Sequence, residues 1–338
     1  LGALLAMEEG AAERLFSLWL GYTESLGHSE LRHAISALYE QIGADQIIVH
    51  AGAEEAIFNF MNVALGPGDH VIVHAPYYQS LGEVARGVGA EVTEWRGRPE
   101  QGWQLGLDDV KGALTDRTKV VAVNFPHNPT GFLPTPAFVR ELSDLSERHG
   151  FIVFSDEVYR GLELDRADRL PAFADVNARA VSLGVMSKTY GLAGLRLGWT
   201  ATRYRRGFGA VAAFNDYRTI CNSAPSEFLA ALALRHAETI AERNLRIIRG
   251  NLDRLDRFFA AHAGRFDWRR PRAGTIAFPT LRQGAVDAFC ADLLRKKGVL
   301  LLPGTLYGPG FNSFRIGFGR RNLPHALDRL EQYVRDLG

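Results

Sequence analysis

Apolar residues recur along this chain with two different periods, and the change between them divides it. From residue 47 to 201, short apolar runs bounded by turn residues alternate with stretches whose apolar positions step by three and four. The runs predict strands at 47–49, 71–73, 91–95, 120–124, 152–155, 181–186 and 197–200. The stretches between them predict helices, among them 55–65, 81–88 and 138–149, with Pro67 and Gly68 stopping the first. Strand and helix in alternation imply an α/β fold, with a mainly parallel seven-stranded sheet between helices. Beyond about residue 222 the pattern changes. Leu245, Ile248, Leu252, Leu255 and Phe259 form one stripe among charged residues, which predicts a long helix over about 225–262. Short apolar runs (IAF, VLLL, FRIGF) and a helix over 324–337 follow. Residues 1–40 read as helix, turn, helix, broken at Gly27, with Leu31, Ile35 and Leu38 on one stripe. The expected organisation is a large domain over 41–222 and a smaller α+β domain made of 1–40 and 223–338.

Composition narrows the class. A chain of 338 residues with 46% hydrophobic residues and a net charge of +1 has ample core and no basic field for nucleic acid. Its two cysteines, Cys221 and Cys290, supply neither a disulfide framework nor metal-ligand spacing. No apolar run reaches the roughly 18 residues of a membrane span. The opening LGALLAM lacks a basic flank, so a cytoplasmic location is expected. The chain begins at Leu1 rather than at an initiator methionine, so a preceding segment stays open.

Candidate chemistry collects at the ends of three predicted strands. Asn128 follows VVAVNF in the string NFPHNPTG, and Asp156 and Tyr159 follow FIVF in FSDEVY. Ser187 and Lys188 then follow the run 179–186 and open the string SKTYGLAGLRLGW, where Arg196 lies eight positions beyond Lys188. Taken singly, each is ordinary: a lysine beside glycines is usually solvated, and an aspartate at a strand end usually closes a turn. Taken in order, N-P-x-G, D-x-x-Y and S-K-x-x-G-L-x-G-x-R resemble the fold type I pyridoxal-phosphate enzymes, specifically the class I and II aminotransferases. The likeness covers nearly the whole chain.

That resemblance implies pyridoxal 5'-phosphate as cofactor and a role for each matching position. Lys188 is then the Schiff-base lysine, which later moves a proton between the substrate Cα and C4' of the cofactor. Asp156 is the carboxylate that keeps the pyridine nitrogen protonated; about 4 kcal/mol at 4 Å and an effective dielectric near 20 decides that protonation. Glu157, one residue on, points elsewhere if the strand continues. Asn128 and Tyr159 match the residues that hydrogen-bond the cofactor O3', and Asn128 also borders the substrate. Gly52, Ala53 and Glu54 match the phosphate loop at a helix start, with Ala53 standing where a hydroxyl residue is frequent. Ser187 and Arg196 match further phosphate ligands, and Tyr78 in APYYQS matches the aromatic that stacks on the ring, leaving Tyr77 to packing. Arg315 in FRIGFG matches the arginine that grips the substrate α-carboxylate. Tyr22, in the pattern Y-x-x-x-x-G-x-x-x-L-R, matches the tyrosine that reaches the phosphate of a partner subunit, which implies a homodimer with shared sites.

The expected reaction is transamination between an amino acid and a 2-oxo acid. The strings VNFPHNPTG, NDYRTICNSAPSEF and GVLLLPGTLYG also resemble capreomycidine synthase, which keeps the cofactor but eliminates at Cβ and cyclises. A third possibility, the effector-sensing domain of a transcription regulator, would require a basic helix-turn-helix ahead of residue 1.

Overall fold

A computed structural model describes residues 1–337. All seven predicted strands of the large sheet are present, with ends within a residue or two of those expected. They are β1 (Ile47–His50), β2 (His70–Ala75), β3 (Glu91–Arg96), β4 (Thr118–Asn124), β5 (Ile152–Asp156), β6 (Val181–Val185) and β7 (Gly198–Ala201). Their order is β1-β7-β6-β5-β4-β2-β3. The run from β3 to β6 is parallel, whereas β7 lies antiparallel to both β6 and β1.

Period-two alternation sends successive residues to opposite faces, and both faces are buried. On β4, Val120 and Ala122 join a core that includes Phe60 and Phe154. Val121 and Val123 face Val139, Leu142 and Phe151 across the sheet. Phe154 stacks on Phe60 with ring centroids 4.5 Å apart. Register sets Asn124 opposite Asp156, and Asp156 opposite Leu183. The carboxyl ends of β4, β5 and β6 therefore open onto one edge, where parallel α/β sheets commonly bind ligands.

Two expectations change. The long helix is two helices, Ala224–Arg235 and Ala237–Ala261, broken at His236. No glycine or proline marks the break. The first is buried almost all round, from Leu229 to Leu234, while the second is apolar on one stripe only. At the joint the Arg235 guanidinium and the His236 ring both meet Glu8, at 2.7 and 3.2 Å. Residues 1–40, expected with the C-terminal segment, instead pack on the large sheet. Leu31 and Ile35 are buried against Ile47, Val49, Trp199 and the helix Ala224–Arg235.

The C-terminal segment forms a three-stranded antiparallel sheet with Phe314–Gly317 between Leu302–Pro303 and Ile276–Ala277. The helices Val286–Lys297 and Leu323–Asp336 pack against one another, and Phe289 of the first stacks on Phe314. Arg315 thus rides on the central strand of this smaller layer.

Candidate active site

Most of the residues singled out from the sequence meet where the sheet edge faces the smaller layer. Asp156 ends β5 with its side chain buried, accepting the Val158 N–H at 3.2 Å. Burial pushes its carboxyl up to about 7, against the partial relief of that hydrogen bond and of Lys188. Lys188, three residues beyond the end of β6 at Val185, is exposed, with its Nζ 5.8 Å from the Tyr159 ring centroid. Desolvation by the surrounding walls, then the Arg315 and Arg196 charges, hold its amine below the ordinary lysine range, while Asp156 opposes them.

Asn128 is held from below. Asn124 donates from Nδ2 to the Asp156 carbonyl at 2.8 Å, and its Oδ1 accepts the Asn128 N–H at 2.6 Å. That leaves the Asn128 side chain to face the smaller layer, where Arg315 Nη1 donates to its Oδ1 at 3.3 Å. Tyr159 is buried and hydrogen-bonded to Thr275; burial raises its phenol above the ordinary range, and the Arg315 charge works the other way. Tyr307 hydrogen-bonds Arg315. Arg315 is therefore set between an amide and a phenol, with the rest of its fork open.

The helix Ala53–Ala64 starts on the same edge. Gly52 sits at φ +100, and a Cβ there would lie 2.6 Å from Arg196 Nη2, so the glycine makes room for the guanidinium. A Cβ on Gly198 would lie 2.9 Å from Ala53 N, which shows how tightly β7 presses on the helix start. The first-turn N–H groups, without partners inside the helix, and the Arg196 cation together could hold an anion. Ser187 is half-buried at the start of the segment that leads to Arg196. Tyr78 leaves 39% of its surface exposed and donates from its hydroxyl to Glu54 Oε2 at 3.1 Å. Burial raises its phenol, and Glu54 and Asp156 add to the shift.

Other residues point away. Glu157 turns from the edge and accepts the Ser182 hydroxyl and the Phe173 N–H, at 2.7 and 2.9 Å. Tyr77 is buried and accepts Arg86 at 2.6 Å. Tyr22 is 81% exposed on an irregular segment. A cavity of about 550 Å³ lined by Tyr39, Arg160, Thr189 and Trp199 contains none of the predicted site residues. Sequence reasoning missed Asn124, Thr275, Tyr307 and Arg320, whose charge acts on Lys188. Only Asn124 and Tyr307 lie inside strings that the motifs had already marked.

A family model for aminotransferase class I and II matches residues 4–330. The chain belongs to this family. Among members, it is 35% identical to capreomycidine synthase of Streptomyces vinaceus over 91% of this chain and 79% of that protein. It is 29% identical to an aspartate aminotransferase of Thermotoga maritima, over 93% and 83% of the two chains. A solved PLP-dependent aminotransferase from Streptococcus suis superposes with a TM-score of 0.93 at 29% identity, covering 100% of this chain and 90% of the other. The architecture is the type I transferase fold, and pyridoxal 5'-phosphate is the cofactor of this class I and II member. The donor set fits that group. A charge-suppressed lysine, a buried acid, an exposed aromatic and a helix-start anion cradle opened by Gly52 all face one edge.

Proposed function

We propose that the chain transfers the amino group of an amino acid to a 2-oxo acid, with Lys188 as the proton-moving residue. The observation that carries this reading is the meeting of a charge-suppressed Lys188 with Arg315 and Asn128 across the sheet edge. When bound, pyridoxal phosphate supplies an aldehyde for an amine and a ring that draws electrons from the substrate Cα. Gly52, Ala53 and Glu54 would hold its phosphate through backbone N–H groups, with Ser187 and Arg196 beside them. Asp156 would face its ring nitrogen, Tyr78 would cover its ring, and Asn128 and Tyr159 would donate to its phenolic oxygen.

Arg315 binds and orients the substrate α-carboxylate, because Asn128 and Tyr307 hold it in place and a planar guanidinium matches a carboxylate bidentately. Lys188 Nζ then takes the proton from Cα, for which an amine must be neutral; its lowered pKa serves that need. A homodimer is part of this reading. Trp19, Leu20 and Tyr22 are exposed on a segment joined to 215–222 by Thr23–Asn222 and Asn215–Ser25 hydrogen bonds, and Tyr217 and Ile220 are exposed there too. A second copy would cover this apolar surface and bring Tyr22 to a neighbouring site.

A second reading, elimination at Cβ with cyclisation, is favoured by the likeness to capreomycidine synthase. Single amino acids mixed with the holoenzyme, without any 2-oxo acid, separate the two. Conversion of one equivalent of cofactor to pyridoxamine phosphate, with one equivalent of 2-oxo acid released, supports transfer. Repeated turnover yielding ammonia or a cyclised product from a β-hydroxylated amino acid overturns it. Borohydride treatment followed by peptide mapping should find the cofactor on Lys188; finding it on Lys296 or Lys297 refutes the lysine assignment.

A further inference from the structure

We propose that the stacked imidazoles of His74 and His127 form a brace that positions Asn128 and Tyr78 for the cofactor. This rests on the reading of the site in which Asn128 donates to the phenolic oxygen and Tyr78 covers the ring. His74 lies in β2, four positions before Tyr78, and His127 lies immediately before Asn128, beyond the end of β4. Their rings stack with centroids 3.6 Å apart and planes 19° from parallel, so the segments leaving β2 and β4 touch through this pair.

A pair of buried rings is ordinary core, and His74 is boxed by Phe125, Phe132 and Trp95. What sets this pair apart is its polar atoms. Among the described residues, both nitrogens of His74 and Nε2 of His127 complete no hydrogen bond, a desolvation penalty that phenylalanine in either place would avoid. The fourth nitrogen is held. His127 Nδ1 lies 2.6 Å from the Thr130 hydroxyl, which also accepts the Phe132 N–H at 3.2 Å. That hydroxyl therefore donates to Nδ1, and the His127 proton sits on Nε2. From there it leans toward the Pro76 carbonyl on the β2 side, while His74 leans toward the Asn124 backbone on the β4 side. Each ring reaches across to the other's strand.

The pair does no acid–base work at neutral pH. Among the described residues no charged side chain acts on either ring, and burial holds His127 down to about 3 and His74 well below the ordinary imidazole range. Two neutral rings supply geometry. Asn128 is then held on two sides. Asn124, tied to β5 through the Asp156 carbonyl, accepts its N–H at 2.6 Å, and the stack fixes its neighbour His127 against β2. The Asn128 amide oxygen accepts Arg315 at 3.3 Å, so a displaced Asn128 also loosens the substrate arginine.

The test compares His74→Leu, which fills the space without a flat ring, with His74→Phe, which restores one. The readout is the pH at which the visible absorbance of the holoenzyme titrates, because a donor at the phenolic oxygen favours its anionic form. Asn128→Ala sets the reference and should raise that midpoint by about one pH unit, the scale of one hydrogen bond to a charged oxygen. His74→Leu should move it in the same direction and raise KM through Arg315, while His74→Phe should return both toward wild type. A merely structural role would lower the urea midpoint of the apo protein and leave the absorbance midpoint in place. An unshifted midpoint in His74→Leu overturns the brace, and so does a shift in His74→Phe as large as that in His74→Leu. Should His74→Leu fail to fold, His127→Leu against His127→Phe is read in the same way. If Asn128→Ala itself leaves the midpoint unmoved, the reading of Asn128 as a cofactor ligand fails, and the brace with it.

Discussion

Replacing Asp156 by asparagine should flatten the pH dependence of stability of the cofactor-free protein between about pH 4 and pH 7. In the wild type the carboxyl rises from 3.8 to about 7, chiefly because burial penalises its charged form. The unfolded chain ionises it near pH 4, so between the two values the folded state binds more protons than the unfolded state. Stability then falls as pH rises through that window, and levels off above it. Three pKa units at 1.36 kcal/mol each set the full loss at about 4 kcal/mol, an order-of-magnitude figure for a carboxyl this deeply buried. Asparagine keeps the shape and can still accept the Val158 N–H, so it removes the charge and little else. His50 and His127, held down to about 4 and about 3 by burial, lower stability as pH falls, but they do so in both proteins. Urea midpoints of the two apo proteins across the window isolate Asp156 by difference. With cofactor loaded, a cationic ring nitrogen against the carboxylate should reverse the ranking, making wild type the more stable near pH 7. Parallel apo curves would refute the buried-acid argument; an unreversed ranking on loading would remove Asp156 from the ring nitrogen.

Three other outcomes are expected. Arg315→Ala should raise KM and lower kcat together, with kcat/KM falling about ten- to a hundredfold, since positioning is lost along with a charged contact; an unchanged KM would remove Arg315 from the site. Gly52→Ala should cost about 1–3 kcal/mol in thermal stability and weaken cofactor binding in a spectroscopic titration, because φ +100 strains alanine and its Cβ meets Arg196; unaltered affinity would refute the cradle. Tyr22→Phe should weaken cofactor binding in a protein that sediments as a dimer, whereas a monomer with full affinity at nanomolar concentration would sink the shared-site reading.

Apart from β3, a partly exposed edge strand, the strands of the large sheet were legible in the sequence because a strand buried on both faces must be apolar along its length, and turn residues must bound it. The same holds for the ends of β4, β5 and β6, where polar residues immediately after apolar runs marked Asn128, Asp156 and Lys188. The broken helix was not legible. Its two halves share a helical period without a glycine or proline between them, and only packing distinguishes the buried segment before His236 from the one-sided segment after it. The partner layer of residues 1–40 was likewise undetermined, since Leu31 and Ile35 supply an apolar stripe and say nothing of which surface covers it. Arg315 shows the division most plainly. Its place in an apolar run could be read from the chain, but its meeting with Asn128, 187 positions earlier, is a product of folding. Chain order carries periodicity and local chemistry. Contacts between distant segments, and the pKa shifts that burial imposes on Asp156 and Lys188, arise only when the tertiary structure removes water and brings charges together.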